Sequence, residues 1–199
     1  LIYKRKYTAL IVGIIMGVVY LMVDYGIFYL ALETREVQGA NTFWLLFWLS
    51  MSYGFTNFAW IWLLLDRDGN DIEWSLIPIL GWLAVSLLSQ NFGYSSSEIH
   101  ISRMIGSYHG IMTLILAGGY LILIIGNLNA KTKEDKAPIL RLLIIGVGVQ
   151  LAWEAVLLIT GVRPFDLKPM IINSLIETNL GLPYFYLIHR NVKKRNEAH

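Results

Sequence analysis

The chain has 199 residues, 56% of them hydrophobic and only 15% charged, where a soluble domain carries about 25% charged residues. Mean hydropathy is +0.55, and the 16 Lys/Arg and 14 Asp/Glu residues fall in short clusters between long apolar runs. A soluble domain of this length has too much surface to hide that much apolar material, which excludes soluble enzyme folds, disordered chains and nucleic-acid-binding modules. Cysteine is absent, which also excludes disulfides, thiolate metal sites and thiol nucleophiles.

A helix needs about 20 apolar residues to cross the hydrocarbon core of a bilayer, and six segments qualify. They are 7–32, 41–65, 74–93, 102–127, 137–160 and 167–188, joined by short loops that make neighbours antiparallel. The expected fold is therefore an all-α, polytopic membrane helix bundle in a single transmembrane domain, 1–199. The first run is too long for a cleavable signal and reads as a span. Cytoplasmic loops retain positive charge, which fixes an expected orientation. Lys4, Arg5, Lys6, Arg67, Lys131, Lys133, Lys136, Arg141, Arg190, Lys193, Lys194 and Arg195 fall on one side, against Arg35, Arg103, Arg163 and Lys168 on the other. Both ends of the chain are then cytoplasmic. The chain opens on Leu1 rather than Met; a further span before it would make seven and place the true N-terminus outside.

The two halves can be compared for an internal repeat. Asn57-Phe58-Ala59-Trp60-Ile61 in the second span matches Gln150-Leu151-Ala152-Trp153-Glu154 in the fifth. Ser86 to Gly93 in the third matches Ser174 to Gly181 in the sixth. Halves of three spans would be inverted relative to each other, as in many transporters; chance similarity between apolar helices is the alternative. If the halves are related, acid chemistry sits in the second, where Glu154 and Glu177 replace Ile61 and Ser89.

An ionisable group inside a span is costly and usually faces the protein interior or a water-filled cavity. Asp24, Glu154 and Glu177 lie well inside, and His109 lies near the outer part of the fourth span. Asp24, Gln90, Asn91, His109 and Glu154 fall in the outer half, with Glu177 near the middle. Residues four apart share a helix face, which pairs Tyr20 with Asp24, Tyr53 with Asn57, Gln150 with Glu154, and Asn173 with Glu177. These stripes suit helices converging on a pocket open to the outside, with Glu98, His100, Arg103 and Arg163 at its rim. The competing explanation is interhelical polar packing.

The chain also has 7 Trp, 11 Tyr and 8 Phe. Trp44, Trp48 and Trp74 sit near interfaces and read as belt residues, whereas Trp60, Trp82 and Trp153 lie deeper. Deep aromatics suit either ordinary packing or a cavity whose ring faces stabilise positive charge. Pro183, two residues after Gly181, is expected to break the last helix immediately after Glu177. Asp66-Arg67-Asp68-Gly69-Asn70-Asp71 has a calcium-loop flavour, but its glycine is misplaced and Ile77 stands where a bidentate Glu belongs; it reads as a turn. Histidine spacing builds no metal site, and neither a metal nor any other cofactor is expected.

Trp153-Glu154 together with Glu177-x-Asn179-x-Gly181-x-Pro183 resembles the small integral-membrane terpene cyclases of fungal meroterpenoid and indole-diterpene pathways. The resemblance covers mainly residues 150–188; Asp24 would match the early-helix acid of that family, although Val23 precedes it instead of Trp. It implies metal-free, proton-initiated cyclisation of a prenyl chain or its epoxide. Glu177 or Asp24 would protonate the substrate and Glu154 would assist. Trp153, Trp60, Tyr20, Asn173, Asn179, Gln150, His109 and Asn91 are the candidate substrate-binding residues. The expected partners are a hydrophobic, prenylated small molecule and the lipid bilayer, with no nucleic acid and no protein partner inferable. The residues alone leave two other readings open: a small proton-coupled transporter using Glu154 and Glu177 as carriers, and a lipid-binding scaffold without turnover.

Overall fold

A computed structural model of the chain describes residues 1–92, 99–103, 109–162 and 166–197, with the backbone alone for Arg103, His109, Lys168, Pro169 and Glu197. The architecture is a set of long helices with one small β-ribbon. In chain order these are α1 (Tyr7–Leu21), a π-helical continuation (Met22–Ala31), β1 (Arg35–Gln38), α2 (Thr42–Asp66), α3 (Asp71–Phe92), β2 (His100–Arg103), α4 (His109–Leu128), α5 (Ile139–Ile159) and α6 (Leu167–Glu197). The expected all-α helical bundle is what the chain forms. Four helices are long and apolar enough to cross a membrane: Tyr7–Ala31, Asp71–Phe92, Gly110–Leu128 and Ile139–Ile159. In the first three, only 17% of the most apolar window is buried within the protein, so most of that surface needs lipid rather than water. This is a membrane protein.

The chain divides into two compact units, Leu1–Gly106 and Ser107–His199. In the first, α1 packs along α2 through a stripe of small residues. Ala9, Gly13 and Gly17 on α1, four apart, and Ser50 and Gly54 on α2, also four apart, are all buried. A Cβ on Gly54 would stand 2.6 Å from the Gly17 Cα, so the two backbones touch, the close approach that small residues permit between membrane helices. Helix α2 is the central helix here, also contacting α3 and β1, and Ala59 to Leu65 are buried in an unbroken run. The turn into α3 is held from α1's end: Lys6 Nζ lies 2.8 Å from Asp68, and Trp74 Nε1 donates to both Asp68 oxygens at 3.0 and 3.3 Å. Burial alone would raise the Asp68 carboxyl, but the hydrogen bonds from Lys6, Trp74 and the Asn70 backbone, with the charge on Lys6, hold it down at about 2. Trp74 is buried, so it anchors this turn and is not the belt residue its position suggests; Trp44 and Trp48 are exposed.

Two segments differ from expectation. Residues 100–103 belong to β2, paired antiparallel with β1 in the register Arg35 to Arg103 and Gln38 to His100, so the fourth span does not begin at 102; among the described residues its helix runs His109–Leu128. The alternation in both short segments suits a ribbon, but four residues are too few for a span-scale hydropathy reading to resolve. In the second unit, α6 is an unbroken helix from Leu167 to Glu197 with Pro183 inside it, so the expected break after Glu177 does not occur. Pro183 is fully buried against Gly119 of α4, where an added Cβ would approach the proline Cβ to 3.0 Å; tertiary packing holds the helix through it.

The second unit is centred on α6, which packs on both α5 and α4. Under the expected repeat, α5 should be the counterpart of the central α2. The sequence match between the halves is therefore not accompanied by equivalent helix packing.

Candidate functional site

The polar residues of α5 and α6 meet in the second unit. Helix α5 starts after Pro138 and ends where Thr160 donates Oγ1 to the Val156 carbonyl at 2.7 Å and Gly161 turns the chain with φ 69°. Its buried face runs Leu142, Ile145, Gly146, Val149, Gln150, Glu154 and Leu157, the three-and-four spacing of one helix stripe. Two polar residues, Gln150 and Glu154, thus stand on an otherwise apolar face. Glu154 is 1% exposed; Glu177 on α6 is half-buried.

Gln150 joins the two acids. Its Nε2 donates to Glu177 Oε2 at 2.9 Å and, at a longer 3.4 Å, to Glu154 Oε1. Thr178 Oγ1 sits 2.7 Å from Gln150 Oε1. Because that hydroxyl can donate to the amide oxygen, the contact orients the amide with its NH2 toward the acids. Asn173 Nδ2 donates to Glu154 Oε1 at 3.1 Å. The sequence pairing of Gln150 with Glu154 is borne out. Asn173, expected beside Glu177 on its own helix, instead reaches across to Glu154.

Asn179 is placed differently. It is 1% exposed, accepts from Tyr120 OH of α4 at 3.1 Å and donates to the Leu175 carbonyl at 3.2 Å. Its side chain lies on Gly146 so closely that an added Cβ would overlap Oδ1 and come within 2.6 Å of Cγ. Asn179 therefore clamps α4, α5 and α6 together. Trp153, beside Glu154 on α5, is half-buried.

The remaining candidates lie elsewhere. Asp24 belongs to the first unit, in the π-helical segment, 2% exposed, where Arg35 Nε donates to its Oδ1 at 2.7 Å. The Arg35 guanidinium also lies 4.4 Å from the Phe28 ring centroid. π-helix is rare and concentrates at functional sites, and here it carries a buried ion pair. Trp60 donates Nε1 to Ser75 Oγ at 3.1 Å and meets Trp82 edge-on at 6.0 Å, so these two deep tryptophans pack on each other. Tyr20 is 38% exposed. Asn91 is exposed and donates to the Leu87 carbonyl of its own helix at 2.8 Å. The His109 and Arg103 side chains, Glu98 and Arg163 lie outside the described residues. No cluster of metal-ligating side chains occurs among the described residues.

Sequence reasoning missed Tyr120, Thr178, Gly146 and Arg35. For Arg35 a signal was present: a lone cation in a short loop, four residues beyond a helix that carries a lone acid.

The fold and site define a helical membrane protein with two carboxyls linked by one amide between adjacent helices. No family model, curated protein or solved structure matches this chain, so likeness to the terpene cyclases rests on the residues quoted above.

Proposed function

We propose that this protein is a metal-independent membrane cyclase of prenyl or terpenoid substrates, with Glu177 as the proton donor. The observation that carries the reading is the Gln150 amide, fixed by Thr178 and donating to both acids, with Glu154 buried and Glu177 reaching a half-buried face. A carboxyl that accepts through one oxygen can carry a proton on the other, and a desolvated acid beside an apolar substrate is what protonating an alkene or epoxide requires. In this reading Glu177 protonates the substrate and a neighbouring double bond supplies the electron pair for the new carbon–carbon bond. The final cation loses a proton back to the carboxylate. The conversion is an isomerisation and needs no co-reactant. Glu154 assists through Gln150, Trp153 faces the developing positive charge, and Asp24, engaged by Arg35, anchors the first unit. The protein is multi-pass with cytoplasmic ends, following the distribution of Lys and Arg. A proton-coupled carrier draws no support from the helix packing, since the two units are not packed alike and α6 is not interrupted.

The test is turnover by the full chain in detergent, with a panel of farnesyl- and geranylgeranyl-substituted phenols and their terminal epoxides, read by mass spectrometry and NMR of products. The expected result is a cyclic isomer of unchanged mass, with turnover lost by at least the about 10²–10⁴-fold of general acid catalysis in Glu177→Gln and reduced by a smaller factor in Glu154→Gln. Turnover that survives Glu177→Gln, or no cyclisation of any member of the panel, refutes the reading.

A further inference from the structure

At the far end of the second unit from Glu154, the last turn of α4, the α4–α5 loop and α6 enclose a groove of about 370 Å³, within the size range of small-molecule sites. Its floor is apolar, formed by Ile122, Leu123, Gly126 and Leu187, and Lys131 and Arg190 stand at its polar edge. The loop is rigidly built. Asn127 both accepts from the Ala137 N–H at 2.6 Å and donates to the Ala137 carbonyl at 2.9 Å. The acid at the edge is already engaged: one Asp135 oxygen accepts from Thr132 at 2.8 Å and the other from Arg190 at 3.3 Å. Arg190 also donates to the Asp135 carbonyl at 2.9 Å. The Lys131 side chain is exposed, three residues beyond the apolar span Gly110–Leu128. Around it this end of the chain carries Lys131, Lys133, Lys136, Arg141, Arg190, Lys193, Lys194 and Arg195 against Glu134, Asp135 and Glu197.

We propose that this groove is a binding site for one anionic glycerophospholipid, with an acyl chain on the Leu123–Gly126–Leu187 floor and the phosphate at Lys131 and Arg190. An apolar floor ending in cations at the edge of a span matches the order of parts in such a lipid, and basic pockets between membrane helices hold anionic headgroups. Because Asp135 is satisfied from two sides, it presents no unengaged carboxylate to repel the phosphate.

The experiment is native mass spectrometry of the full chain from micelles doped equally with phosphatidylglycerol and phosphatidylcholine. One bound phosphatidylglycerol should be retained over phosphatidylcholine by about fivefold or more, on the scale of one cation near an anionic surface. Lys131→Gln should reduce that preference to parity. So should Gly126→Leu, where an added Cβ meets nothing within 4 Å, so the new side chain fills the groove without a backbone clash. Circular dichroism melts of both variants should match the wild type. Lys136→Gln, outside the lining, should keep the preference, and millimolar inorganic phosphate should not displace the lipid. Equal retention of the two lipids, a preference surviving both groove variants, equal loss in Lys136→Gln, or displacement by free phosphate each overturns the proposal.

Discussion

Gly146→Ala is the sharpest probe of how α5 and α6 are held. The new methyl would overlap Asn179 Oδ1, stand 2.6 Å from its Cγ and 3.1 Å from Leu182 Cδ2. Both residues are 1% exposed, so neither can swing into open space. Overpacking of this kind costs about 1–3 kcal/mol. Displacing Asn179 also breaks its bond with Tyr120, worth about 0.6–1.7 kcal/mol between membrane helices. Against this, Gly→Ala in a helix interior gains about 1 kcal/mol. The net expectation is a loss of about 0.6–3.7 kcal/mol, read by denaturant titration in mixed micelles with circular dichroism as the signal. The decisive arm is the same substitution in an Asn179→Ala background. With the amide gone the methyl has room, so Gly146→Ala should there be neutral or stabilising, and the sign of its effect reverses. A Gly146→Ala variant as stable as wild type, or additive effects of the two substitutions, refutes the clamp, since residues in contact should couple.

Two further predictions concern the first unit. Arg35→Ala removes the cation paired with the buried Asp24 carboxylate and should destabilise by about 3–5 kcal/mol; the Asp24→Leu/Arg35→Met double variant should recover most of that loss in the same titration. Asp68 is held at about 2 in the folded protein against an ordinary 3.8, so the unfolded chain takes up its proton first as pH falls. Its stabilisation is complete above pH 3.8, declines between 3.8 and about 2, and is gone below. Asp68→Asn should therefore remove that part of the acid limb of a stability–pH profile, monitored by tryptophan fluorescence.

Most of the helical layout was legible because a span is written in hydropathy over some twenty residues. The expected 7–32 corresponds to Tyr7–Ala31, and 137–160 to Ile139–Ile159. The ribbon was not legible, since His100–Arg103 lies between apolar neighbours and is too short to carry its own periodicity. The site divides in the same way. Gln150 with Glu154 could be read because an i, i+4 pair on one helix has fixed geometry. Asn173 could not, because its choice between Glu177 on α6 and Glu154 on α5 depends on how the two helices are rotated against each other. The Asp24–Arg35 pair spans 11 residues and a change from π-helix to strand, and charge counting had assigned Arg35 to topology alone.

The string Glu177-x-Asn179-x-Gly181-x-Pro183 is not one functional unit. Residues two apart on a helix do not share a face, so Glu177 and Asn179 serve different neighbours. Glu177 meets Gln150 in the polar network, while Asn179 meets Gly146 and Tyr120 in the packing. Pro183 packs on Gly119, and a Cβ at Gly181 would meet nothing within 4 Å, so that glycine has no steric requirement in the fold. The two functions are nevertheless coupled through α5, because Gly146 and Gln150 lie one turn apart on the same buried face. A glycine at 146 lets Asn179 seat directly on the α5 backbone, and that approach sets the helix spacing at which Gln150 reaches Glu177 at 2.9 Å. Under the proposed function, the clamp is what would position the acid pair. Any side chain at 146 that pushes α6 outward should lengthen the Gln150–Glu177 contact before it disturbs Glu154, whose link to Gln150 runs within α5 itself.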